Sequence, residues 1–249
     1  MTGETHKAGG VLCSVAGFLL LKNNNLLLGN VNELIQLGIM YPFCVWASTA
    51  SDLDHHWDSC PSKDIPSYFI NKALHLTTPV YKRLDNSLTA SEKKSNPTYK
   101  ATKLLSANHR SWQTHSDLTM VIMFMVLVKV LSGSLVGKIT PVDNVILSLI
   151  VMGMSMGFIA HCVLDMLTPE GVWCLLFVGI NKLLKRKLLP EKLRFVPKWG
   201  CFATSSDWER FVLLIIKVLT VVVVIVLILG WINPSFRLSD LFPYSISFN

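Results

Sequence analysis

Apolar residues fall into five runs along the chain, and polar residues collect between the runs rather than alternating within them. The run over 211–232 has about the 20 residues needed to cross bilayer hydrocarbon. The run over 142–164 is nearly as clear, and 118–136 is a third, with Lys129 close enough to one end to extend its ammonium to the headgroups. A fourth, over 33–49, is less apolar and carries Pro42. The first, over 9–21, is short. It reads either as a span continuing to Leu28 past Lys22 and three asparagines, or as a partly re-entrant segment. A single lysine precedes the 11–21 stretch and no A-x-A-like site follows it, so an uncleaved helix is expected rather than a signal peptide.

Between the runs lie two amphipathic stretches. Ile65, Phe69, Ala73, Leu76 and Val80 recur at helical spacing. The 175–189 stretch mixes apolar residues with Lys182, Lys185, Arg186 and Lys187. Each suits either the headgroup layer or packing against the bundle. The polar, lysine-rich segment 89–102 reads as a mobile loop, and no internal repeat is present. The fold expected is all-α: a polytopic transmembrane helical bundle of about five spans with amphipathic interfacial helices. A single integral-membrane domain would cover residues 1–249, with 56–108 as a long cytoplasmic loop and 211–232 as the last span.

Composition agrees. Of 249 residues, 51% are hydrophobic and 16% charged, against about a quarter charged in soluble domains. The net charge of +7 is concentrated in two connections, with nine Lys or Arg over 51–116 and seven over 168–208. Positive connections stay on the cytoplasmic side, so five spans would put the N-terminus inside and the C-terminus outside the cytoplasmic membrane. No zinc-finger spacing, RNP-like motif or basic heptad is present, so membrane lipid rather than nucleic acid is the expected partner. The six cysteines show no C-x-x-C spacing and read as buried reduced thiols. Nothing in the sequence fixes an oligomeric state.

Four patches hold six of the seven histidines: His6; Asp52, Asp54, His55 and His56; His109, Arg110, His115 and Asp117; and His161 with Asp165. On this topology all four fall at the cytoplasmic face, although the topology rests on lysines, arginines and apolar runs alone. His161 and Asp165 are four apart and share one helix face. Asp52, Asp54 and Asp165 sit at helix C-termini, where the macrodipole disfavours a carboxylate, so each calls for a cation. Asp117 opens a helix, where a capping role is as good a reading as a ligand role. His109 and His115 are six apart and share no helix face. Mixed imidazole and carboxylate ligation suits zinc, manganese or iron. The number of donors suits two or three ions, with Arg110 placed to stabilise an anionic transition state.

The order of these patches resembles the LexA-regulated, membrane-bound metal-dependent hydrolase family of YdjM type. The matching features are Thr5-His6, the D-x-D-H of 52–55, the H-R and T-H-S around His109 and His115, and the H-x-x-x-D-M-L-T-P-x-G-V of 161–172. Here Ser111 replaces the family's glycine, and the loop from His56 to Asn108 is long for the family. The resemblance implies His6, Asp52, Asp54, His55, His109, His115, His161 and Asp165 as ligands; the residues expected to be catalytic are Asp54, Arg110 and Glu209. The family is distantly related to zinc-dependent phospholipases C and single-strand nucleases. That implies a phosphoesterase using metal-activated water, plausibly on phospholipid. The alternative expectation is a non-enzymatic metal-binding or metal-transporting membrane protein.

Overall fold

A computed structural model describes residues 1–27, 31–54, 57, 60, 63–106, 114–132, 145–195 and 205–233, which are mostly helical. In chain order the helices are α1 (Gly3–Asn23), α2 (Glu33–Ala50), α3 (Ile65–Leu74), α4 (Thr78–Ser87), α5 (Ala90–Ser95), α6 (Pro97–Leu105), α7 (Asp117–Leu131), α8 (Val145–Met166), α9 (Leu175–Leu183) and α10 (Asp207–Ile232). A 3-10 turn, Ser51–Asp54, extends α2. Two short strands, β1 (Val172–Trp173) and β2 (Lys192–Leu193), pair antiparallel with Val172 opposite Leu193.

The five long helices coincide with the five apolar runs. By length and composition, α8 and α10 are long and apolar enough to cross a membrane. Both α7 and α10 turn large apolar side chains outward, Phe124 and Met125 on the first and Leu214, Val218 and Val221 on the second. Lipid is the medium in which such a face is stable.

Around α2 the helices share one apolar core built on Val15, Phe18, Met40, Cys44, Leu149, Met152 and Leu227. Between helices in lipid the attraction is close packing rather than water expulsion, so small residues mark the seams. Gly153 and Gly157 do this on α8. A Cβ on Gly153 would lie 2.5 Å from Met40 O, and one on Gly157 would collide with Cys44 O. At one end, Lys22 Nζ and Trp231 Nε1 both reach Glu33 Oε2, at 2.7 and 2.9 Å. That joins the C-terminus of α1, the N-terminus of α2 and the C-terminus of α10. Helix direction therefore alternates between α1 and α2, and α10 runs parallel to α1.

Three expectations change. First, α1 begins at Gly3, so His6 lies inside the helix rather than before it. The carboxylate of Glu209 accepts from Thr2 N–H and from the Thr5 hydroxyl (2.7 Å), supplying the acceptor that the orphan donors of a helix N-terminus require. The helix ends at Asn23, with Asn25 at φ 54°, so no helix runs on to Leu28. Second, the amphipathic stretch from Ile65 to Val80 is two helices, because Pro79 opens α4. Third, the segment expected as a mobile loop is helical. Thr89 and Glu92 form a capping box for α5, and Asn96 caps α6 by accepting from Tyr99 N–H at 2.9 Å. The five described cysteines are free thiols.

Candidate metal centre

The end of the core away from Glu33 is polar and buried. It is assembled from α1 (His6), the 3-10 turn after α2 (Asp52), the residue pair before α7 (Thr114 and His115) and the last turns of α8 (His161 and Asp165). Residues 161 and 165 share a face by helical spacing. Ser116 caps α7, accepting from Thr119 N–H at 3.2 Å, and this fixes the entry of the chain that carries His115.

Each of two imidazoles is oriented by its Nδ1. The last carbonyls of α2 lack helical partners, and one of them, Ser48 O, accepts from His161 Nδ1 at 2.7 Å. His115 Nδ1 lies 2.9 Å from Thr114 Oγ1 and 3.3 Å from Asp54 Oδ2, while the Thr114 hydroxyl donates to Asp54 Oδ2 at 2.7 Å. With Nδ1 donating, each ring turns the lone pair of Nε2 inward. Those two Nε2 atoms stand 3.0 Å apart. Facing lone pairs at that distance need a proton or a cation between them.

Carboxylates complete the ring. Asp165 Oδ2 is 3.2 Å from His115 Nε2 and 3.4 Å from His161 Nε2. Asp52 Oδ1 is 3.5 and 3.8 Å from the same two atoms. His6 stacks on His161 with ring centroids 3.9 Å apart, and its Nε2 lies 3.4 Å from Asp165 Oδ1 and 4.0 Å from Asp52 Oδ2. Among the described residues neither ring nitrogen of His6 has a hydrogen-bond partner, though the residue is wholly buried. The nitrogen of Met1 also reaches Asp165 Oδ1, at 3.4 Å. Burial works against the charge on Asp52, yet the facing His161, His115 and His6 rings hold its carboxyl well below the usual range. Burial likewise disfavours a charged His115, but the Asp52 and Asp54 carboxylates outweigh it and lift the imidazole to about 9.

Donor separations of 3.0 to 4.0 Å bracket the tetrahedral edge of about 3.3 Å of an ion with ligand bonds of about 2.0–2.1 Å. Two groups of three meet the geometric condition for holding an ion: His6, Asp52 and His161, and His115, His161 and Asp165. The two groups share His161, whose single inward nitrogen can serve one ion, so they overlap at the same end of the bundle. Three imidazoles and two carboxylates are a donor set for zinc, manganese or iron.

The remaining expected residues are placed differently. Asp54 stands behind His115 and orients it through Oδ2, the position of an outer carboxylate. Asp117 faces away: its carboxylate accepts from Leu175 N–H at 2.8 Å and takes the Cys174 thiol at 3.3 Å, capping α9. The buried Glu209 accepts from Thr2, Thr5 and Ser205 N–H (2.6 Å), so it tethers α10 to the start of α1 rather than facing the cluster. His55, His109 and Arg110 lie outside the described residues, as does His56. His75 contacts Thr78 instead, at 3.4 Å. Sequence reasoning missed two supports. Ser48 acts through a backbone carbonyl, which leaves no side-chain signal. Thr114 acts through its hydroxyl on Asp54 and His115, and its neighbour His115 is the signal that could have found it.

The family model described as YdjM inner membrane protein matches residues 1–235. No curated protein and no solved structure matches the chain.

Proposed function

The chain belongs to the YdjM inner membrane protein family, and from that premise we propose that it is a membrane-embedded metal-dependent hydrolase of phosphoesters. The observation that carries this reading is the inward convergence of five buried donors from four separate segments, with the Nε2 atoms of His115 and His161 at 3.0 Å. A protein that only needed stability would be served as well by apolar packing there, because buried charges and imidazoles are costly without an ion.

His6, Asp52, His115, His161 and Asp165 would hold the ion, zinc first and manganese or iron as the other candidates. A second or third ion would draw on His55 and His109. A bound divalent ion supplies Lewis acidity toward water and toward a phosphoryl oxygen. The protein's own residues fix the ring tautomers through Ser48 O, Thr114 and Asp54, and exclude bulk water by burial. Asp52 is the most exposed of the five donors, at 8%, so it marks the side from which a substrate would approach. The substrate class proposed is a phosphoester, with phospholipid headgroups favoured by the position of the cluster at helix ends. Five spans, a cytoplasmic site, an inward N-terminus and an outward C-terminus complete the reading.

The near-total burial of the other four donors supports a second reading, a non-enzymatic metal-binding protein. Transport is less favoured, because transporter sites lie near the bilayer midplane. Metal analysis of the detergent-purified protein, paired with a headgroup-release assay, separates these. The hydrolase reading expects bound metal and turnover, both lost in Asp165→Ala. Stoichiometric metal with no release from any phospholipid or nucleotide ester would leave the second reading standing.

A further inference from the structure

The metal centre makes no use of the basic tip that follows α9. This tip is built as a rigid unit. Arg186 N–H bonds Asn181 O at 3.1 Å and Lys185 N–H bonds Lys182 O at 3.3 Å, a Schellman closure. The left-handed position of that closure, where glycine is usual, is held by Lys185 at φ 51°. Asn181, itself buried, then staples the returning chain. Its Oδ1 accepts from Leu188 and Leu189 N–H, both at 2.9 Å, and its Nδ2 donates to Leu189 O at 2.8 Å.

The staple holds apolar side chains outward. Leu183 is 82% exposed and Leu188 63%, with Leu184 beside them at 51%. Lys182, Lys185, Arg186 and Lys187 are interleaved and exposed. Lys187 shares its charge with Glu191 at 3.4 Å, whereas Lys182, Lys185 and Arg186 have no acidic partner among the described residues. The level of the tip is fixed by the bundle. Trp173 N–H bonds His115 O at 2.8 Å, and Asp117 caps α9, so the segment leaves from the end of the bundle where α7 begins and α8 ends.

We propose that residues 182–188 form an anionic-phospholipid anchor. Leu183, Leu184 and Leu188 enter the acyl boundary, and Lys182, Lys185 and Arg186 meet headgroup phosphates. Apolar bulk with cations at its rim is the composition that lies in a bilayer interface, and cytoplasmic leaflets carry the complementary negative charge. A second copy of the chain is disfavoured as occupant, because the same cations would face each other. The inference rests on the membrane placement of α7 and α8 and not on hydrolysis.

The test uses the full chain in nanodiscs of phosphatidylcholine with or without phosphatidylglycerol. A nitroxide at Leu183→Cys, in a background without other cysteines, should be relaxed by oxygen more than by a water-soluble nickel chelate, and the reverse should hold at Lys94→Cys. In native mass spectrometry, Lys182→Gln/Arg186→Gln/Lys185→Gln should reduce retained phosphatidylglycerol by on the order of fivefold for each cation removed. A water-exposed nitroxide at 183, spin–spin broadening from a second copy, or undiminished phosphatidylglycerol in the triple variant would each overturn the anchor. Metal content in the same samples should stay at the wild-type level, so a failure of the metal reading shows separately.

Discussion

At the scale of single residues, the centre depends on groups that never touch an ion. Thr114 links Asp54 to His115 through one hydroxyl, at 2.7 and 2.9 Å. Thr114→Val keeps the shape and removes both bonds, freeing the His115 ring to turn. Outer-shell losses of this kind cost about 10–100-fold in metal affinity, so chelator competition should show that drop while circular dichroism stays unchanged. His161→Ala removes the donor common to both ligand groups and should leave no metal after gel filtration. Glu209→Ala sets the contrast. It removes the acceptor of Thr2 N–H, the Thr5 hydroxyl and Ser205 N–H, a loss of about 1–3 kcal/mol in stability, with metal per folded molecule unchanged. Metal loss equal to that of His161→Ala would return Glu209 to the centre. The converging donors were legible in the sequence because histidine and aspartate are costly beside apolar runs and therefore stand out there. The partners of Asp117 and Glu209 were not legible, because a sequence shows an acid near a helix end without showing which other helix it caps. Both serve helices more than 50 positions away or at the far terminus of the chain.

At the scale of elements, the centre is only as well defined as the seam between α2 and α8. The first helix carries the Ser48 carbonyl and, one turn on, Asp52; the second carries His161 and Asp165. Their approach is set by Gly153 and Gly157, two turns and one turn before His161 respectively. Gly157→Ala pushes a methyl into Cys44 O and Ser48 N, and Gly153→Ala one into Met40 O. Overpacking of this kind typically costs about 1–3 kcal/mol. Each variant should lower the melting temperature in detergent, and Gly157→Ala, nearer the centre, should also weaken metal binding. An intact affinity in Gly157→Ala would show that the centre does not depend on helix spacing. The five long helices were legible because a run of apolar residues is enough to call for one. The short helices α3 to α6 were less so. Their signals are local caps, Asp64 before Pro66, Thr89 with Glu92, and Asn96 before Pro97, and a lysine-rich polar composition masks them.

At the scale of the whole molecule, the two ends of the bundle are built for different tasks. One end is tied by Lys22, Glu33 and Trp231. The other brings together the donor cluster, Glu209 with the start of α1, and the strand pair leading into α9 and its basic tip. The contacts at both ends make α1, α7 and α10 run one way and α2 and α8 the other. That alternation is compatible with the five crossings proposed above, and the lysines and arginines of the 51–116 and 168–208 connections add a sidedness to it. The helix directions come from buried polar contacts and the charge bias from exposed cations. Together they predict the sidedness of the centre. Alkaline phosphatase, active only outside the cytoplasm, should be active when fused at the C-terminus and inactive when fused after Ser87 or after Lys187. The reverse pattern would put the donor cluster and the basic tip on the outer face, away from the anionic leaflet the anchor needs. Activity at both the C-terminus and Ser87 would mean that one of the five helices does not cross. The shortest of them, α7, with 15 residues described, is then the first to examine, because about 20 are needed to span the hydrocarbon.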